Sequence, residues 1–126
     1  MANPIDAALR GRRVERVRGG RTLVLELTGR IAVVVANDLR VSSSRAVEHY
    51  YPGLSPAPTG GLARLVGVRV AATVVTPAGG LELHFDTGQV LSVPPDTAAA
   101  DGTEPWRVTG PDGPMFTALP GGYLTA

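Results

Sequence analysis

At 126 residues, with 44% hydrophobic and 18% charged side chains, the chain has the makeup of one globular domain and is too short for two ordinary cores. It contains no cysteine, which excludes a disulfide framework, a thiolate metal site and a thiol nucleophile. No run approaches the roughly 18 apolar residues of a membrane helix. The opening Met1–Asp6 lacks a basic stretch followed by an apolar one, so a cytoplasmic protein with no membrane segment is expected.

A net charge of +1 conceals an uneven distribution, and all twelve basic residues are arginine. Residues 1–30 hold seven Arg against Asp6, Glu15 and Glu26, a local charge of +4. Residues 76–126 hold only Arg107 against six acids, a local charge of −5. In a β fold such sorting is expected to let strands of one half pair with those of the other rather than to mark a binding face.

Sixteen Gly and eleven Pro imply many short elements joined by tight turns. The chain opens on Leu9-x-Gly11-x-x-Val14 and restarts on Leu65-x-Gly67-x-x-Val70. After the first phrase, Val14–Val17 predicts a strand that ends at Gly19-Gly20. Leu23, Leu25 and Leu27 then alternate with Val24 and Glu26, the period of a strand with one buried face. Thr28-Gly29 turns the chain and Ile31–Ala36 returns. Ser42-Ser43-Ser44 is placed to cap a short helical turn over Arg45–Tyr51, within a connecting loop 42–61. Leu62–Val66 suggests one more helical turn.

The second half repeats the pattern: Val68–Val75, the Gly79-Gly80 pair, and Leu81, Leu83 and Phe85 alternating with Glu82, His84 and Asp86. Asp86-Thr87-Gly88 makes the turn, Val90–Val93 returns, and Pro94-Pro95 ends the strand because neither residue can donate to a ladder. An acidic small-residue loop at 95–104 leads to a meander over 105–125. Its strands are Trp106–Thr109, Met115–Leu119 and Tyr123–Thr125, with turns at 110–113 and 120–122. Aligning the halves pairs Gly11 with Gly67, Leu25 with Leu83, Leu27 with Phe85, Gly29 with Gly88 and Ile31 with Val90, which points to an ancient duplication. The expected fold is mostly β: about eight short strands in a barrel-like or two-sheet sandwich, with at most one or two short helical turns. It forms a single domain, 1–126, built from two similar β units at about 9–41 and 62–95.

The C-terminal half carries Asp86-Thr87-Gly88, Val93-Pro94-Pro95-Asp96, Trp106-x-x-x-Gly110-Pro111-Asp112-Gly113 and Leu119-Pro120-Gly121-Gly122. With the earlier Gly-x-x-Val strands, these resemble a family of small actinobacterial proteins known only as a domain of unknown function. The resemblance covers about residues 9–124, its specific motifs lying in 85–124. The loop before Trp106 is longer here, and the acidic or aromatic residues ahead of it are reduced to Glu104. The resemblance implies fold and lineage, and it brings no catalytic residue, metal or cofactor.

Three groups of residues invite a functional reading. Glu82, His84 and Asp86 project from one strand face about 7 Å apart and form a candidate ligand face, for a small molecule or minor enzymatic chemistry. His49, Tyr50 and Tyr51 cluster in the central loop with three Ser, a composition suited to protein contact. Arg12, Arg13 and Arg16 could join a partner surface or track a phosphate backbone, although no aromatic residues interleave them for base stacking. The paired glycines open no phosphate loop and no Gly-x-Ser-x-Gly elbow is present. The expectation is a non-enzymatic protein-binding domain of adaptor, regulator or immunity type. Its partner would be another protein, a homodimer is compatible, and no catalytic residue, metal or cofactor is assigned. A small-molecule-binding barrel is the alternative, and weak nucleic-acid binding a second one.

Overall fold

The computed structural model describes residues 4–20, 22–36, 38–51, 60–76, 79–94, 106–118 and 124–125. A short helix α1 (Pro4–Leu9) is followed by β1 (Val14–Arg18), β2 (Leu23–Leu27), β3 (Ile31–Val35), β4 (Leu39–Ser42) and β5 (Val47–Tyr50). The second half has α2 (Gly60–Ala63), β6 (Val70–Val75), β7 (Leu81–Phe85), β8 (Val90–Val93), β9 (Trp106–Gly110), β10 (Gly113–Ala118) and β11 (Leu124–Thr125).

The strands form two antiparallel sheets, six-stranded in the order β1-β2-β3-β9-β10-β11 and five-stranded in the order β5-β4-β8-β7-β6. Neither closes into a barrel, so of the two expected arrangements the sandwich is the one found. Leu23, Leu25, Leu27, Val33, Val35 and Val108 from one sheet and Leu39, Val41, Leu81, Leu83, Phe85 and Leu91 from the other are buried in one core. Trp106 on β9 is fully enclosed and its Nε1–H donates to Gly79 O at 2.9 Å, tying the six-stranded sheet to the start of β7. Burial of a side chain of this size stabilises by roughly 2–3 kcal/mol or more.

The two Leu-x-Gly-x-x-Val phrases meet each other. Gly11 N–H donates to Val70 O and Gly67 N–H to Val14 O, both at 2.7 Å. Val14 N–H donates to Val68 O and Val70 N–H to Arg12 O, both at 2.9 Å. Arg13 and Arg69 form an antiparallel bridge at the centre. Outside this crossing, Thr28 N–H bonds Arg13 O and Asp86 N–H bonds Arg69 O, both at 3.0 Å. A register shift follows Val14 in β1 and Val70 in β6. The halves therefore repeat each other beyond the three-strand unit. The hairpin after β3 (β4–β5) crosses to pair with β8, and the hairpin after β8 (β9–β10) crosses to pair with β3.

The connecting loop expected over 42–61 is shorter than its sequence suggested. Its first part is a hairpin, with β5 over Val47–Tyr50 in place of a helical turn. The Ser43 hydroxyl accepts the Arg45 and Ala46 amides, both at 3.3 Å, and Ser43 N–H bonds Ala46 O, so the serine stabilises a turn instead of capping a helix. Pro52–Thr59, residues 95–105 and the turn at 119–123 lie outside the described residues. The charge sorting does not join the halves through the N-terminal arginines that form ion pairs: Arg10 pairs with Asp6, and Arg16 and Arg18 of β1 pair with Glu26, all within the first half.

Gly11 and Gly67 have φ of 81° and 88°, with open space where a Cβ would stand. Alanine at either position should destabilise through backbone strain alone, by about 1–2 kcal/mol. Urea unfolding of G11A and G67A should give near-equal losses, because the two residues make the same bonds. A loss at only one of them would show that the crossing is not energetically symmetric.

Candidate functional site

Pairing across the five-stranded sheet fixes which side chains share its outer face. One rung runs His49, Arg40, Ser92, Glu82, Val74 from β5 to β6. The next runs Val47, Ser42, Val90, His84, Ala72. Because successive residues of a strand alternate sides, the intervening Leu39, Val41, Leu81, Leu83, Leu91 and Val93 enter the core. Val47 is 56% exposed, Val74 43% and Tyr51, one residue beyond β5, 46%. They are three of the four large apolar side chains exposed among the described residues.

Two groups singled out in the sequence thus meet on one surface, although not as a single site. His84 Nε2 lies 3.1 Å from Glu82 Oε1, and both side chains are about two-fifths exposed. His49 stands three strand spacings from Glu82, roughly 14 Å, too far to share a ligand atom. Asp86 lies apart, exposed in the β7–β8 turn. No cluster of three or more metal-ligating side chains occurs among the described residues.

Tyr50 is placed differently from its neighbours. It is buried, and its hydroxyl donates to Glu48 Oε2, which also accepts Gly61 N–H at 2.8 Å. The His49-Tyr50-Tyr51 cluster therefore divides: His49 and Tyr51 face outward, while Tyr50 and Glu48 pin α2 to β5. A concavity of about 380 Å³ is lined by Asp38, Leu39, Arg40, His49, Tyr51 and Pro94. A second, of about 280 Å³, lies between the β4–β5 turn and α2, with Ser43, Arg45, Glu48, Arg64 and Gln89 in its wall. Glu82, His84 and Asp86 line neither.

The arginines also separate. Arg12 is half-buried, its Nε donating to Ala8 O at 2.6 Å and its Nη1 to Thr28 O at 2.9 Å, so it fastens α1 to the β2–β3 turn. Arg13 is exposed beside the central bridge, and Arg16 is exposed on β1 of the other sheet. Arg40, Val47 and Glu48 went unnoticed in the sequence. The alternation of Leu39–Ser42 is the signal for an outward Arg40, whereas Val47-Glu48-His49-Tyr50 carries no such alternation and offers none for Val47 or Glu48.

Glu48 and Asp6 are carboxylates held in their charged form. The Tyr50 hydroxyl, then the Gly61 amide, hold Glu48 below its ordinary value against an opposing effect of burial. Arg10, then the Thr73 amide, do the same for Asp6. Burial, and next the Glu48 bond, raise the Tyr50 phenol.

No helix among the described residues is long and apolar enough to cross a membrane. The model of a family of unknown function (DUF6188) matches residues 5–126. No curated protein and no solved structure matches the chain.

Both carboxyls have lower pKa values folded than unfolded, so they favour the folded state fully above the ordinary carboxylate range. That contribution is lost as pH falls through the depressed folded values. The urea midpoint should therefore drop below about pH 4. The double variant D6N/E48Q should start lower at neutral pH and fall less steeply. An unchanged slope in that variant would mean that other groups govern the acid limb.

Proposed function

The chain belongs to the family of unknown function DUF6188, and we propose that this domain is a non-enzymatic protein-binding module docking through the outer face of its five-stranded sheet. The observation that carries this reading is the exposure of Val47 and Tyr51 at one side of that face and of Val74 at the other, flanking a polar centre of Arg40, Glu82, His84 and His49. Protein interfaces combine an apolar contribution with a few polar groups that set register. The face is four strand spacings wide, roughly 19 Å, which suits a protein surface better than a small ligand. An adaptor, regulator or immunity-type role is compatible with such a module.

In the same reading the domain acts in the cytoplasm, and its relatives are the small actinobacterial proteins its C-terminal motifs resemble. The reciprocal bonds between residues 11–14 and 67–70 support descent from a duplicated half-chain.

The wild-type domain, immobilised and exposed to extract of its native cells, should retain a reproducible protein partner. E82R and V74D place a reversed or unsatisfied charge on the face without touching the core. Each should weaken that binding at least ten-fold, about 1.4 kcal/mol. Retention of the same partner at full strength by both variants would refute the assignment of the face.

A further inference from the structure

The fold treats its sheet edges unequally. On β6, Thr73 N–H faces outward and is met by Asp6 Oδ1 at 2.7 Å, so α1 covers that edge. On β1, the outer side of Val14 is taken by the 67–70 segment. Beyond it, Arg16 and Arg18 stand exposed beside Glu26. A second β1 laid antiparallel there would bring arginines together, which is how exposed edges are commonly guarded. In the six-stranded sheet β11 pairs along β10. In the other sheet β5 occupies the position equivalent to β10, and among the described residues no strand lies beyond it.

The direction of the β5 amides follows from its hairpin. Ser43 N–H bonds Ala46 O, so Ser43, Val41 and Leu39 turn their backbone groups toward β5. Val41–Glu48 and Leu39–Tyr50 are then the hydrogen-bonded pairs of the β4–β5 ladder. By alternation Val47, His49 and Tyr51 present their N–H and C=O groups outward. Their side chains stand on the outer face, and none carries a fixed charge.

These three positions are symmetric about His49. We infer that β5 is a self-pairing strand, through which two copies of this chain join antiparallel about a two-fold axis at His49. The arrangement sets Val47 opposite Tyr51 of the second copy, and Tyr51 opposite its Val47. An aromatic residue across from a β-branched one is a favourable cross-strand pair. Isologous pairing needs a self-complementary patch, and β5 supplies one where β1 and β6 do not. The join makes a continuous ten-stranded sheet, with the His49–Tyr51 concavity of each copy at the seam. It does not depend on what docks against the centre of the face.

Sedimentation velocity across a concentration series tests the pairing. The wild type should shift from the 13.0 kDa monomer to a dimer as concentration rises. V47K puts a cation on the seam, and H49P removes an outward amide that meets no acceptor among the described residues. Each should weaken association at least ten-fold, while far-ultraviolet circular dichroism and the urea midpoint of the dilute protein stay at wild-type values. V66K, at an apolar residue that is 51% exposed away from the seam, should dimerise normally. If H49P perturbs the fold, V47K alone decides. A wild type that stays monomeric throughout, or a dimer that survives V47K, overturns the inference. E82R should lose the partner and still dimerise; full partner retention in E82R counts against the docking face alone, and a monomeric wild type against the seam alone.

Discussion

Everything in this fold hangs on the backbone crossing between residues 11–14 and 67–70. Four hydrogen bonds in two matched pairs hold the start of β1 against the start of β6. Each strand then heads its own sheet. A crossing at the heads of two sheets leaves their tails unfinished, and each half completes the other's: β4–β5 joins β8, and β9–β10 joins β3. Neither half can bury its apolar face without the hairpin of the other. The core is consequently continuous, with Trp106 from one sheet bonded to Gly79 at the edge of the other.

The symmetry of the crossing makes its exceptions informative. Asp6 on α1 reaches across to the Thr73 amide of β6. At the matching place in the second half stands Leu62, wholly buried. There the carboxylate comes from the opposite direction, Glu48 on β5 accepting the Gly61 amide of α2. Both helices are too short to persist alone, and both are fastened by an acid, though the acid lies on the helix in one half and on the strand in the other. A mutation at Asp6 therefore bears on the edge of β6, whereas one at Glu48 bears on the packing of β5 and α2 together.

Much of this was legible where the hydrophobic period was regular. Leu23-Leu25-Leu27 and Leu81-Leu83-Phe85 announced β2 and β7, and the halves align residue for residue over β1–β2 and β6–β7. On the return strands the match slips by one from that expected, because Val90 sits where Ala32 does and not where Ile31 does. Local pattern failed where the hydrophobic period was missing. Three successive serines read as a helix cap, and Val47-Glu48-His49-Tyr50, apolar only at its ends, offers no alternation to set against them. The exchange of hairpins was not legible, since nothing local says which sheet a strand joins once it leaves its turn. Among candidate residues, the exposure of Glu82 and His84 follows from alternation, whereas His49 and Tyr51 fall in a segment whose sequence reads as a loop. The inward turn of Tyr50 follows from the same rule once β5 is recognised, and the structural use of Arg12 depends on α1, whose six residues give too little periodicity to read.

The arginine-rich first half takes on a different meaning in this light. A phosphate-tracking surface needs cations free to face one ligand. Arg12 is committed to two carbonyls, and Arg10 to Asp6. Arg16 and Arg18 converge on Glu26 along the exposed strand β1. Exposed ion pairs of this kind add little stability, so their position matters more than their energy. They sit where an unguarded edge would invite another strand, and the opposite sheet has no such cations at β5. The arginines of the first half therefore guard one sheet edge, β1, against a second copy of itself, a guard that β5 lacks.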